Sequence, residues 1–326
     1  MRRLLLIAPL VLYVSCVHKT QEKPGTQTFS APSWEQVAKT SAFSIRDTAE
    51  PVVFRDEMWL SNGYCDGGIL VRDLWRSTDG VTWTLVTKST PYDGYSEMVV
   101  YADKVWAVQK GVWNSTDYVN WNQVATKAPF DEVGYGEIVV FKDRMWKLGG
   151  KDVWYTKDGV NWECAIADAP YGPRSGSAIA VYKDKLWLMA GAVKQTNKPP
   201  ESIYPFLTTY NDVWCSSDGA KWTRVLEHAP WAERMWVVTE VYAGKLWIMG
   251  GFSNRKRINF AEAWYTEDGV TWQEYKSDPM FSPRHEASHY VYKGSLWVVA
   301  GNSWPLVNDV WKLTLPEATG GALKAE

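Results

Sequence analysis

Four arginines and three glutamates recur at fixed distances from a repeated tryptophan, and these residue types can do chemistry. The arginines stand 13 residues before that tryptophan, at Arg46, Arg174, Arg234 and Arg284. Four residues after the same position, on the same side of a strand, stand Glu50, Glu97 and Glu137. Arginines bind carboxylates or sugar hydroxyls, and a glutamate shielded from water acts as a general acid or base. The alternative is a structural network in which the two residue types neutralise each other.

Aromatic residues outside the repeated positions form a second candidate site. They are Trp231, Trp236 and Trp304, together with Tyr204 in the longest connection of the repeat. Such rings stack on sugars or hold an apolar side chain of a protein partner. The alternative is that they form a small core of their own beneath a long loop.

Three tryptophan columns define the elements that must position these residues. The first column is Trp59, Trp106, Trp146, Trp187, Trp247 and Trp297; the second is Trp75, Trp113, Trp154, Trp214, Trp264 and Trp311; the third is Trp83, Trp121, Trp162, Trp222 and Trp272. Each repeat reads as an apolar run, a polar turn, a second apolar run, a "W-x-[ST]-x-D" phrase and a closing tryptophan, which is typical of four short strands. The sequence predicts an all-β fold, a six-bladed β-propeller of four-stranded antiparallel blades.

The two ends of the repeat array complete each other. The sixth repeat stops at Leu313 without its closing tryptophan, whereas Trp34 has no repeat before it. We therefore expect residues 33–315 to form one ring whose last blade is closed by an N-terminal strand. The second and third columns are always 8 residues apart, and the first and second are 7 to 27 apart. The insertions thus fall in blades 4, 5, 6 and 1 at one end of the ring, which is the expected binding face.

The repeat also resembles a known family. The residues that carry the likeness are Pro173-Arg174 to Val181-Tyr182, Lys185-Leu186-Trp187 to Ala190-Gly191, and Asn211-Asp212-Val213-Trp214. On these motifs the chain resembles the kelch-repeat propellers, including the propeller of the galactose oxidase family. The resemblance implies that the arginines line the mouth of a central channel, with the glutamates forming an acidic half. A shared fold says little about activity.

A short turn phrase recurs between the second and third columns. Ser77-Thr78-Asp79-Gly80 and its equivalents resemble the Asp-box of sialidases, shortened by one residue before the tryptophan. Asp can accept backbone N–H groups of its own turn, and Gly adopts the positive φ that follows. The motif therefore predicts a stabilised turn rather than a metal site.

No complete catalytic or cofactor motif is present in the sequence. Copper chemistry of the galactose oxidase type needs two histidines and two tyrosines on the metal. His285 and His289 are four apart on a strand, so their backbones are about 13 Å apart. We predict no cofactor and no metal; an enzymatic alternative would use Glu97, Glu137 and Glu50.

The N-terminus reads as an export signal. Residues 1–16 combine Arg2 and Arg3 with an apolar stretch too short to span a bilayer, followed by Cys16. This pattern resembles a bacterial lipobox, which implies lipidation of Cys16 and a place in the cell envelope, or secretion. Residues 17–32 are expected to be a flexible spacer and residues 316–326 a loose tail.

The net charge limits the classes of partner, and the cysteine count limits the possible disulfides. A formal net charge of -2 argues against nucleic acid, and leaves a lipid anchor as the only expected membrane contact. The cysteines after the signal are Cys65, Cys164 and Cys215, with either a Cys164–Cys215 bridge or free thiols.

Two functional hypotheses follow. The first is a non-catalytic, exported and lipid-anchored module that binds a glycan or an extracellular protein on the loop-rich face. The second is an enzyme acting on acidic sugars, similar to the kelch-type sialic acid mutarotases or to sialidases, with the arginines and glutamates at the channel mouth.

Overall fold

The first tryptophan column closes the inner hairpin of every blade. In the computed structural model, which describes residues 32–130, 137–194 and 207–316, Trp59 Nε1 donates to the carbonyl of Phe54 at 3.1 Å. The other five first-column tryptophans make the same bond to the aromatic residue five places earlier. The turn between them takes positive φ, as at Arg55 (51°) and Asp56 (58°). The spacing from aromatic to tryptophan therefore reflects one hairpin repeated six times.

The described part of the chain contains six four-stranded antiparallel sheets. The sixth contains β1 (Glu35–Ala38), and the first contains β2 (Glu50–Phe54), β3 (Glu57–Cys65), β4 (Ile69–Ser77) and β5 (Thr84–Thr87). The second contains β6 (Glu97–Tyr101), β7 (Lys104–Val108), β8 (Val112–Ser115) and β9 (Asn122–Ala125), and the third β10 (Glu137–Val140), β11 (Met145–Leu148), β12 (Val153–Thr156) and β13 (Trp162–Ile166).

The remaining three sheets follow the same order, interrupted by short strands in the connections. The fourth contains β15 (Ala178–Tyr182), β16 (Lys185–Met189), β19 (Val213–Ser216) and β20 (Thr223–Leu226), and the fifth β21 (Val238–Tyr242), β22 (Lys245–Met249), β25 (Ala263–Thr266) and β26 (Trp272–Tyr275). The sixth has β27 (Ser288–Tyr292), β28 (Ser295–Asn302) and β29 (Leu306–Leu313) beside β1. The short strands are β14 (Arg174–Ser175), β17 (Ala192–Lys194), β18 (Leu207–Thr209), β23 (Phe252–Ser253) and β24 (Ile258–Asn259).

The innermost strands form a closed ring. β2 contacts β6 and β27, and contacts continue from β6 to β10, β15, β21 and back to β27. β1 pairs antiparallel with β29, with Glu35 opposite Lys312 and Gln36 opposite Trp311. The predicted propeller fold, with its last blade closed by an N-terminal strand, is confirmed.

Glycines of the turn phrase allow close packing of one blade against the next. A Cβ added at Gly219 in blade 4 would lie 2.1 Å from the indole of Trp146 in blade 3, and one at Gly269 would lie 2.0 Å from Trp187. Gly80 and Gly159 are placed in the same way against Trp297 and Trp106. In these four contacts the first-column indole fits between neighbouring blades because the facing turn has no side chain.

The turn phrase itself is held by its aspartate. In blade 2, Asp117 Oδ1 accepts the backbone N–H groups of Val119 and Asn120, and Ser115 Oγ donates to it. These hydrogen bonds, with that from Asn120 first, hold the pKa of the Asp117 carboxyl well below its usual range. The geometry agrees with a stabilised turn.

Several predictions concern segments outside the described residues. These segments are the predicted signal with Cys16, the predicted spacer except Pro32, most of the loose tail, and Tyr204. Within the described residues, Cys65, Cys164 and Cys215 are unpaired thiols, so the alternative bridge between Cys164 and Cys215 is not formed. The same residues include no helix with the length and apolar character needed to cross a membrane.

Candidate functional site

The four recurrent arginines lie inside their blades. Arg46 has no exposed surface and donates from Nη1 and Nη2 to Asp73 at 2.6 and 2.9 Å, with a further bond to the carbonyl of Asn62. The equivalent pairs are Arg174 with Asp212, Arg234 with Glu262 and Arg284 with Asp309. The expected position of these arginines at the channel mouth is therefore corrected. Their guanidinium groups are buried inside the blades, where they neutralise acids and donate to backbone carbonyls.

The acid of each pair also binds the second tryptophan column. Trp214 Nε1 donates to Asp212 at 2.8 Å, and Trp75, Trp264 and Trp311 bind their acids likewise. Blade 3 has Val133 in place of the arginine, and there Lys147 pairs with Asp152 at 2.7 Å instead. Blade 2 has Asp93 at the arginine position and Gly111 at the acid position, so it has neither the arginine nor the acid of this pair. The arginine, acid and tryptophan thus form one structural unit.

The three predicted glutamates do come together. Glu50, Glu97 and Glu137 begin β2, β6 and β10, and they line an axial cavity of about 190 Å³ to which all six blades contribute. The equivalent first residues of β15, β21 and β27 are Ala178, Val238 and Ser288. Half of the ring is therefore acidic at this level and half is not.

Burial changes the ionisation of these carboxyl groups. It raises the pKa of Glu50 to about 8, partly offset by a hydrogen bond from the backbone of Met98. Burial, reinforced by the negative charge of neighbouring glutamates, also raises the pKa values of Glu97 and Glu137 well above the usual value. Burial in the cavity wall therefore favours the protonated form of these carboxyl groups, which can donate hydrogen bonds.

A Glu50→Gln substitution is expected to flatten the pH dependence of thermal stability. Because the folded state holds the Glu50 proton up to about pH 8, the stability it contributes is fully present below about pH 4.5 and is lost as pH rises through 8. The melting temperature measured between pH 5 and 9 should fall by a few degrees less in Glu50→Gln than in wild type. The exposed Glu227→Gln should follow wild type, and parallel curves for wild type and Glu50→Gln would contradict the expectation.

The three tryptophans outside the repeated columns, Trp231, Trp236 and Trp304, lie in two different environments. Trp231 is only 1% exposed and meets the ring of Trp272 edge-on at 5.8 Å, so it belongs to the core and its expected role in an aromatic shelf is corrected. Trp304 is 45% exposed and contacts Phe252 and His285 edge-on at 5.0 and 5.2 Å. Trp236 stacks on the same two rings. The four rings Trp236, Phe252, His285 and Trp304, called the aromatic cluster below, lie in blades 5 and 6.

The aromatic cluster adjoins the axial cavity through Trp236, which lines it. Trp236 has φ of 56°, and its backbone N–H donates to the carbonyl of Gly176 in the preceding blade. In the next two blades, Glu286 N–H donates to Trp236 and Thr48 N–H to Glu286, both with positive φ at the donor residue. These four residues occupy equivalent positions, so the mouth of the cavity is bordered by linked backbone from blades 4, 5, 6 and 1.

His285 and His289 have separate partners. His289 Nδ1 lies 2.9 Å from Glu240 Oε1. His285 is 3% exposed, its Nδ1 lies 2.7 Å from Asn259 Oδ1, and burial lowers its pKa to about 4. Asp47 and Glu286 lie close to His285, a cluster that the spacing of the two histidines does not predict. The available signal was Glu286 itself, which stands where the same motif in blade 4 has Gly176.

Comparisons with known proteins identify the domain. A family model described as the DUF6242 beta propeller domain matches residues 32–317. A solved structure titled "Structure of YjhT" is similar to the chain, with a TM-score of 0.66 and 11% sequence identity, over 86% of this chain and 98% of that one. That similarity supports the fold alone. No curated protein sequence matches the chain.

Proposed function

The chain belongs to the DUF6242 beta propeller family, and we propose that it is a binding module that recognises a neutral glycan on its loop-rich face. The observation that supports this most is Trp304, a large aromatic side chain that is 45% exposed yet held by ring contacts to Phe252 and His285. An indole fixed in this way stacks on the apolar face of a sugar ring without a large loss of side-chain freedom.

The polar groups near the aromatic cluster suit hydroxyl groups rather than carboxylates. Carboxyl oxygens from Glu286, Glu50, Glu97 and Glu137 line the adjoining axial cavity, and they accept or donate hydrogen bonds according to their protonation. A carboxylate on the ligand would find no lysine or arginine among the residues that line this cavity. The four arginines that an enzyme for acidic sugars would need are enclosed by their own acids. The enzymatic hypothesis is therefore less well supported than neutral-sugar binding.

Replacing Trp304 with Ala is expected to weaken binding roughly 10- to 100-fold. This corresponds to losing about 1.5–3 kcal/mol, the usual value of one large buried side chain. A glycan array would identify a neutral ligand for the wild-type protein, and titration calorimetry would measure the affinity of both variants. Val160 provides a matched control, because it is 47% exposed and lies in a turn at the opposite end of blade 3.

Val160→Ala should bind as wild type does. Equal affinity of Trp304→Ala and wild type, or array signals confined to acidic glycans, would reject the proposal. If the ligand were instead an extracellular protein bound at Trp304, free sugar would not compete with its binding.

We also propose that the protein is exported and anchored by a lipid on Cys16, with residues 17–32 as its spacer. This part of the proposal is supported by the sequence pattern of residues 1–16 alone. We propose in addition that the repeat is of the kelch type. This is supported by motifs such as Pro173-Arg174 and Asn211-Asp212-Val213-Trp214.

A further inference from the structure

Three potential metal ligands meet where the last blade joins the first. A ring nitrogen of His285 and one carboxylate oxygen each of Asp47 and Glu286 all lie within 4.8 Å of one another. Asp47 belongs to the segment that leads into blade 1, and His285 and Glu286 to the segment that leads into blade 6. Within the described residues, neither carboxylate forms an ion pair with a lysine or arginine. Two acids therefore lie together, Asp47 buried and Glu286 half-buried, with no lysine or arginine paired to either.

The hydroxyl of Thr48 cannot satisfy both acids. Thr48 Oγ1 lies 2.9 Å from Asp47 Oδ1 and 2.8 Å from Glu286 Oε2. A hydroxyl has a single proton, so it donates to one carboxylate at a time. When both acids are ionised, the other oxygen faces a lone pair of the hydroxyl. A positive charge between the two acids would relieve this repulsion.

Glu286 has a second oxygen that is not satisfied by the protein. Its Oε1 has less than 1 Å² of accessible surface and accepts no hydrogen bond. A buried carboxylate oxygen without a partner is costly, because it has lost its water and gained nothing in exchange. This oxygen is an independent indication that a ligand belongs at the cluster.

The hydrogen bonds around His285 prepare its ring for coordination. Asn259 Nδ2 donates to the carbonyl of Asn302 at 2.8 Å, so the amide oxygen of Asn259 must face His285. That oxygen accepts the proton on Nδ1 and leaves the lone pair of the neutral ring on Nε2. Asn302 also donates to Asp47 Oδ2 at 2.9 Å. Outer hydrogen bonds that fix both an imidazole and a carboxylate are typical of metal sites.

We propose that Asp47, His285 and Glu286 bind a divalent first-row transition metal ion, Zn²⁺ or Mn²⁺, at the junction of blades 6 and 1. One imidazole and two carboxylates are a suitable donor set for these ions. A tetrahedral ion with ligands at about 2.1 Å keeps them roughly 3.4 Å apart, so no pair of these atoms, all within 4.8 Å of one another, needs to close by more than about 1.4 Å. The ion would contact Glu286 on the wall of the axial cavity, and the inference does not depend on sugar binding.

The test is metal binding by the purified full-length protein after treatment with chelator. Titration calorimetry with Zn²⁺ and with Mn²⁺, and elemental analysis after dialysis, should give one ion per chain for at least one of the two metals. Because the ion links the first and last blades, it should also raise the melting temperature. Glu286→Gln, which keeps the shape of the side chain, and His285→Asn should each weaken binding at least tenfold.

His289→Asn is the matched control, because this second histidine of the same strand region pairs with Glu240 instead. It should bind the ion as wild type does. No binding of either metal by wild type, binding retained in both Glu286→Gln and His285→Asn, or binding lost in His289→Asn would each overturn the proposal. Circular dichroism of the variants separates loss of the site from loss of the fold.

Discussion

Arg174→Met is expected to lower the free energy of unfolding by about 3–5 kcal/mol, the usual cost of breaking a buried ion pair. Arg174 is 2% exposed and donates to Asp212 from both terminal nitrogens, at 2.7 and 3.0 Å. It also donates to the carbonyls of Ala190 and Tyr171. Removing the guanidinium leaves Asp212 buried with the indole N–H of Trp214 and no positive charge. Urea denaturation at pH 7 would measure the loss.

The matched control is Arg224→Met. Arg224 pairs with Glu227 at 3.5 Å, and both side chains are about half exposed or more, at 45% and 67%. Surface pairs contribute roughly 0–1 kcal/mol, so this variant should unfold close to wild type. The double variant Arg174→Met/Asp212→Leu should recover part of the loss, because it removes both charges. A cost for Arg174→Met no larger than that for Arg224→Met would show that the enclosed pair does not hold the blade together.

Gly219→Ala should cost about 2–5 kcal/mol for two separable reasons. Gly219 has φ of 79°, and an alanine there pays roughly 1–2 kcal/mol of backbone strain. The new Cβ would also lie 2.1 and 2.4 Å from the Trp146 ring, and overpacking of this kind costs typically 1–3 kcal/mol. The indole must move, and with it the contact between blades 3 and 4. Denaturant titration and the melting temperature would both record the loss.

Gly244 separates the two contributions. It has φ of 72°, but a Cβ there would meet nothing within 4 Å. Gly244→Ala should therefore show only the backbone strain of about 1–2 kcal/mol. If the two alanine variants were equally stable, the contact between the new Cβ at position 219 and Trp146 would contribute nothing. The inference that the turn glycine makes room for the neighbouring indole would then be wrong.

The sequence was sufficient for the fold because every blade repeats the same local bonds. The aromatic at Phe54 and the indole of Trp59 predict a hairpin, and Trp34 without a repeat of its own predicts the closing strand. The sequence did not reveal that the glycine of the turn contacts the adjacent blade, since that requires two repeats to be superposed in space. Blade 2 has Tyr118 in place of this glycine, and its ring contacts Trp59 at 4.8 Å in a tilted arrangement.

The candidate site was predicted only in part. Glu50, Glu97 and Glu137 line one cavity because they share one register position, and strand period and repeat register decide which side chains face the axis. The arginines were misplaced because their partners are acids two residues before the second tryptophan column, such as Asp212 before Trp214. That co-occurrence is only partly visible in the sequence: blade 2 lacks both the arginine and the acid, whereas blade 3 lacks the arginine but keeps Asp152, which pairs with Lys147 instead. His285, Asp47 and Glu286 come from two different blades, and no local pattern joins them.

The closing of the ring by β1 has a consequence for how the protein is made. Gln36 in the first strand bonds Asp309 in the last, 273 residues away along the chain. Strand pairings this distant form slowly, because a long loop must close before the contact can stabilise it. β1 is synthesised first, yet it pairs only when the last strand has been made. A premature stop before β29 would leave both β1 and the edge of β28 without the strand that pairs with them.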